Sequence, residues 1–82
     1  MSHEKTVTLH FTNSLNHSIQ FHLEPWGEVY DMPAGATYIA IVRGEECDFE
    51  HQALEIEYAQ DIITLYGITG SVVTVFHNGQ EL

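Results

Sequence analysis

Bases are nearly missing from this chain. Lys5 and Arg43 stand against twelve acids, and the formal net charge over 82 residues is −10. Such a charge repels nucleic-acid backbones and anionic membrane surfaces, so neither is expected as a partner. It suits a basic partner protein instead. Cysteine is scarcer still: Cys47 is alone, and no disulfide can form within the chain. No apolar segment follows the opening MSHEKTV, so no secretory leader is expected. No run approaches the ~20 apolar residues of a membrane-spanning helix. A small chain without leader, disulfide or anchor is expected in the cytoplasm. Helical periodicity is lacking as well, since no stretch of ten or more residues spaces its apolar side chains by three and four. The glycine-rich phosphate loops and Ser-His-Asp patterns of common enzymes are absent too. Nothing here points to an enzyme, and no cofactor is expected.

What is present is a period of two. In TVTLHFT the apolar set is Val7, Leu9 and Phe11; in SIQFHLE it is Ile19, Phe21 and Leu23. Each reads as a strand with one buried face. NSLNH between them is rich in turn formers, so the two are expected to pair as a hairpin. A short strand signal follows at Glu28 to Tyr30. MPAG fits a type I turn with Pro33 second and Gly35 fourth. TYIAIVR, Thr37 to Arg43, is apolar at nearly every position, as if both faces were covered. ALEIEY alternates again, with Leu54, Ile56 and Tyr58 expected inside and Glu55 and Glu57 solvated. IITLY and SVVTVFH are β-rich and joined by GITG. SVVTVFH suits a central strand, or an edge through which copies of the chain could associate. Asn78-Gly79 is the preferred pair for a type I′ turn, so Gln80 to Leu82 should fold back along Val75 to His77. The expectation is a single all-β domain over residues 1–82: a small antiparallel β-sandwich or flattened barrel of six to eight strands.

LEPWGEVYDMPAG, Leu23 to Gly35, holds both prolines and the one tryptophan. Pro25 has no N–H, so a strand ladder must stop or kink there. Gly27 can take a positive φ. The segment reads as a corner with Trp26 folded inward to seal the end of the core. The alternative is an exposed indole among Glu24, Glu28 and Asp31, offering an anchor to a basic or amphipathic segment. Pro-Trp-Gly, Pro-x-Gly, a late aromatic-Gly before a strand and an Asn-Gly turn together resemble a pattern in small uncharacterised bacterial all-β proteins. That resemblance implies no activity, cofactor or site. PAGATY is also similar to the Pro-x-Gly turn of cupin barrels. A cupin metal site needs His-x-His, which this chain lacks.

Two constellations remain. His10 and His22 lie on the polar faces of the first two strands. In a hairpin centred on Asn16 they would be opposite, with Cβ atoms ~5 Å apart, and could share a transition metal. The alternative is a pair of solvated imidazoles. Cys47 and His51 form a Cys-x₃-His pair in an acid-rich loop. Zinc would need a second such pair, and nearby carboxylates disfavour a reactive thiolate. The stronger signal is the distribution of charge. The stretch from Glu24 to Asp61 holds most of the acids, and Ile62 to Leu82 holds only Glu81. An acidic docking surface for a basic protein is therefore expected, with Trp26, Glu28, Asp31, Glu45, Glu46 and Glu50 as its candidate residues.

Overall fold

The computed structural model describes residues 4–44 and 54–82. Its strands are β1 (Lys5–Thr12), β2 (Ile19–Glu24), β3 (Glu28–Met32), β4 (Thr37–Gly44), β5 (Glu55–Ala59), β6 (Ile62–Tyr66), β7 (Val72–His77) and β8 (Gln80–Glu81). They form two four-stranded sheets, ordered β1-β4-β7-β8 and β3-β2-β6-β5. The expected small all-β sandwich is what the chain builds, with no helix among the described residues.

Alternation decides what each sheet buries. In the first sheet, Val7, Leu9 and Phe11 lie opposite Val42, Ala40 and Tyr38, and Ala40 lies opposite Val75. In the second, Phe21 sits between Tyr30 and Ile63, and Leu23 lies beside Leu65. These rows face one another. The Phe21 ring meets Phe11 and Tyr38 edge-on, with centroids 5.1 and 5.8 Å away. The Tyr38 hydroxyl donates to the Asp31 carbonyl on β3. Phe21, Leu23, Met32, Ala40, Val42 and Leu65 are fully buried. Each of the larger ones contributes roughly 1.5–3 kcal/mol by leaving water.

Tight turns follow local chemistry. Asn78 and Gly79 both take positive φ, at 53° and 79°, as a type I′ turn requires. β8 folds back as expected, pairing Glu81 with Phe76, and the Leu82 N–H reaches the Val75 carbonyl. Gln60 and Asp61, φ 48° and 64°, close the β5–β6 hairpin the same way. MPAG departs from expectation by one position. The Ala36 N–H bonds the Pro33 carbonyl, and Gly35 has φ 77°. Pro33 is therefore first in the turn and Gly35 third, where type II demands a positive φ.

The expected N-terminal hairpin is not formed. β1 pairs with β4 alone, whereas β2 pairs with β3 and, in parallel, with β6. The segment after β1 crosses between sheets, and Asn13 holds the crossing. Its side chain is 1% exposed. Nδ2 donates to the carbonyls of His17, Met32 and Pro33, at 2.9, 3.1 and 3.1 Å, and Oδ1 accepts from the Leu15 N–H. Its backbone bonds Gly35 and Ala36. The Leu15 bond is an ordinary Asx turn, but the other bonds use this residue to join the β3–β4 turn to the end of β1. The opposite surface of the crossing is tied by His17 to Asp61, 3.2 Å apart.

Two strands differ from their expected surroundings. β5 is exposed throughout, so Ile56 and Tyr58, on its inward face, remain 49% and 60% exposed. Among the described residues it is the outermost strand of its sheet, with no neighbour on one side. β7 is neither fully central nor fully an edge. β4 covers it from Val72 to His77, but β8 covers only Phe76 and His77.

Candidate functional site

LEPWGEVYDMPAG is a corner. The Glu24–Pro25 bond is cis, Gly27 has φ 72°, and the chain reverses from β2 into β3 with Leu23 opposite Glu28. Trp26 does not seal the core, which corrects the inward expectation. It is 45% exposed. Leu23 and Leu65, side by side and fully buried, already fill that end of the core. The indole lies instead on Gly67, where an added Cβ would stand 2.5 and 2.8 Å from its Cη2 and Cζ3 atoms. The Gly67 N–H donates to the Glu24 carbonyl at 2.8 Å, which draws the β6–β7 connection under the ring. The result is a half-open aromatic surface at one end of the sandwich.

Outward side chains of the β3-β2-β6-β5 sheet form cross-strand rows. Nearest the corner are Glu24, Tyr66 and Glu55; next come Val29, His22, Thr64 and Glu57; then Asp31, Gln20, Ile62 and Ala59. Acids occupy each row. The Tyr66 hydroxyl points to Glu57 at 3.5 Å. That carboxylate foremost, then partial burial and the charges of Glu55 and Glu24, push the Tyr66 hydroxyl above its ordinary pKa. Negative potential is thus concentrated around an aromatic ring. Glu28 accepts from the Tyr30 hydroxyl at 2.7 Å. Burial first, then Glu28 and the charge of Glu81, raise Tyr30 to about 12.

The predicted partner-binding residues are only partly gathered. Trp26 and Glu28 share the corner, and Asp31 lies at the far row of the same sheet. Glu45, Glu46 and Glu50 fall outside the described residues, as do Cys47 and His51. Tyr66 was not singled out from sequence, although alternation with Ile62 and Thr64 already puts it on the outer face. The His10 and His22 pair is overturned. His10 lies opposite Ile39 on the outer face of one sheet; His22 lies between Val29 and Thr64 on the outer face of the other. The cause is the lost hairpin. His22 Nε2 bonds Gln20 Oε1 at 2.9 Å instead, and no group of three or more His, Cys, Asp or Glu among the described residues could hold a metal ion.

The β1-β4-β7-β8 sheet is different. Lys5 and Arg43, the only bases of the chain, are both in it, and its only strand acid is Glu81. No family model, no curated protein and no solved structure matches this chain. Among the described residues no helix is long and apolar enough to cross a membrane.

Proposed function

We propose that this chain is a non-enzymatic interaction module that docks a basic partner protein on the outer face of the β3-β2-β6-β5 sheet. The observation that carries the reading is the separation of charge between sheets. Glu24, Glu28, Asp31, Glu55, Glu57 and Asp61 belong to one sheet and its turn, and both bases belong to the other. Carboxylates around Tyr66, and the half-open indole of Trp26 at the same end, suit lysine and arginine side chains by charge and by cation–π contact. The cytoplasm, where such a partner would be met, is part of the same proposal.

The test is capture from native-host lysate by three baits: the unaltered chain, a Glu24→Gln/Glu55→Gln/Glu57→Gln variant, and a Glu4→Gln/Glu81→Gln control. The expected result is one basic protein held by the first and third baits, lost from the second, and released as salt rises. A partner held equally by all three baits, or indifferent to salt, would overturn the reading.

A further inference from the structure

The outer face of the β1-β4-β7-β8 sheet carries Ile39, Ile41, Val72 and Phe76 among its polar residues, where an open sheet face is normally polar. Its rows are Thr6, Arg43 and Val72; then Thr8, Ile41 and Thr74; then His10, Ile39, Phe76 and Glu81. Val72 is 58% exposed, and Ile39, Ile41 and Phe76 are half-buried. TYIAIVR reads as a strand covered on both faces, yet no described residue of this chain covers the outer one. We propose that a second copy of the chain does, packing face to face about a two-fold axis.

Charge selects that occupant. Two chains of net charge −10 repel wherever their acids meet. Pairing the exposed edge of β5 with its copy would bring the Glu55 and Glu57 carboxylates of the two chains together. Among the described residues the Ile39–Phe76 face brings no such cluster together. It is also self-complementary. Arg43 and Glu81 stand at opposite corners, separated by two strand spacings and four residues of rise, roughly 17 Å. A two-fold axis in the plane of contact, passing near Thr74 between them, sets each Arg43 against the Glu81 of the other copy. The same operation lays Phe76 toward Ile41. Among the described residues the Arg43 side chain, which is exposed, meets Thr74 Oγ1 at 3.4 Å. An isologous contact of this kind closes as a dimer and does not propagate.

Sedimentation analysis of the full chain tests the proposal, from ~1 μM to ~1 mM protein and at ~50 and ~500 mM salt. The expected result is a dimer that tightens as salt screens the like charges, the reverse of the salt response of acidic docking. Ile41→Lys should abolish it. Arg43→Glu and Glu81→Arg should each weaken it about tenfold, and the double exchange should restore it. Both charged positions are exposed, so the exchange reports on the contact rather than on folding. Glu24→Gln/Glu55→Gln/Glu57→Gln, which disables the acidic face, should leave the dimer intact; the two readings therefore fail separately. A chain that stays monomeric at ~1 mM in high salt would overturn the proposal. So would a dimer unaltered by Ile41→Lys and Arg43→Glu, which would assign association to a free strand edge.

Discussion

The two sheets are alike on the inside and opposite on the outside. Inward, both present rows of aliphatic and aromatic side chains that meet around Phe21. Outward, one carries carboxylates in every row, and the other carries threonine, isoleucine, valine and phenylalanine with hardly an acid. Packing constrains the inner faces to a common chemistry. It places no such demand on the outer faces, so their difference is where function is to be sought. A charge of −10 spread evenly would give solubility alone; among the described residues, six acids belong to one sheet and its turn and only Glu81 to a strand of the other.

The comparison breaks most completely where the sheets are joined. Asn13→Ala removes one donor group shared by three carbonyls and one acceptor for the Leu15 N–H at a buried side chain. A loss of about 2–4 kcal/mol is expected in urea unfolding. A loss under ~0.5 kcal/mol, the size of an ordinary surface change, would mean that the sheets are held together by apolar packing alone.

Gly67→Ala acts next, at the aromatic end of the acidic sheet. The new methyl cannot share space with the indole, so Trp26 must lift. About 1–3 kcal/mol should be lost, and the fluorescence of the one tryptophan should move to longer wavelength. Unchanged emission would show that the ring does not rest on Gly67.

Smaller effects separate the outer faces themselves. Glu55→Lys relieves repulsion around Tyr66 and should stabilise the fold by ~0.2–1 kcal/mol at low salt. Thr8→Lys, on the neutral face, should do less. The difference between them should vanish at high salt; if it persists, packing rather than charge is responsible. The least effect is visible only in alkali. The Tyr30 hydroxyl, raised from 10.0 to about 12 by burial and Glu28, holds its proton more tightly folded than unfolded. Its contribution to stability is complete below pH 10 and is lost as pH climbs through 12. Tyr30→Phe should flatten the fall in melting temperature over that window, and an unaltered slope would assign the alkaline loss to other tyrosines.

Strand positions were legible in the sequence because a period of two needs only local residues. The Asn78-Gly79 turn was legible for the same reason. Partners were not. Alternation says which way Phe11 and Phe21 point, but not that they meet across the core from different sheets rather than along one hairpin. The decisive residue, Asn13, looks like a turn former in both cases; its role depends on carbonyls at Met32 and Pro33, far along the chain. The same limit governed the sites. Charge asymmetry along the sequence pointed to one acidic side; of the described strand acids, all but Glu81 lie in one sheet, and Glu45, Glu46, Asp48 and Glu50 fall outside the described residues. His10 and His22, whose pairing depended on the hairpin, were separated with it. Trp26 was located at its corner, but its support, Gly67, lies beyond the reach of local pattern.

The parallel ladder between β2 and β6 has a consequence for how the molecule comes into being. A chain made from its N-terminus presents β2 early, yet Gln20 must wait for Ile62, and Tyr38 on β4 must wait for His77. Only the β2–β3 hairpin and, once Gly44 is made, the β1–β4 pair can form meanwhile, and an isolated two-stranded unit is marginal in water. Contacts this distant in sequence are slow to close. Folding is therefore completed only late in synthesis: Phe21 lacks its neighbour Ile63, and Tyr38 its neighbour His77, until those strands have emerged, and a chain stopped at Gly67 would contain every strand of one sheet and only half of the other.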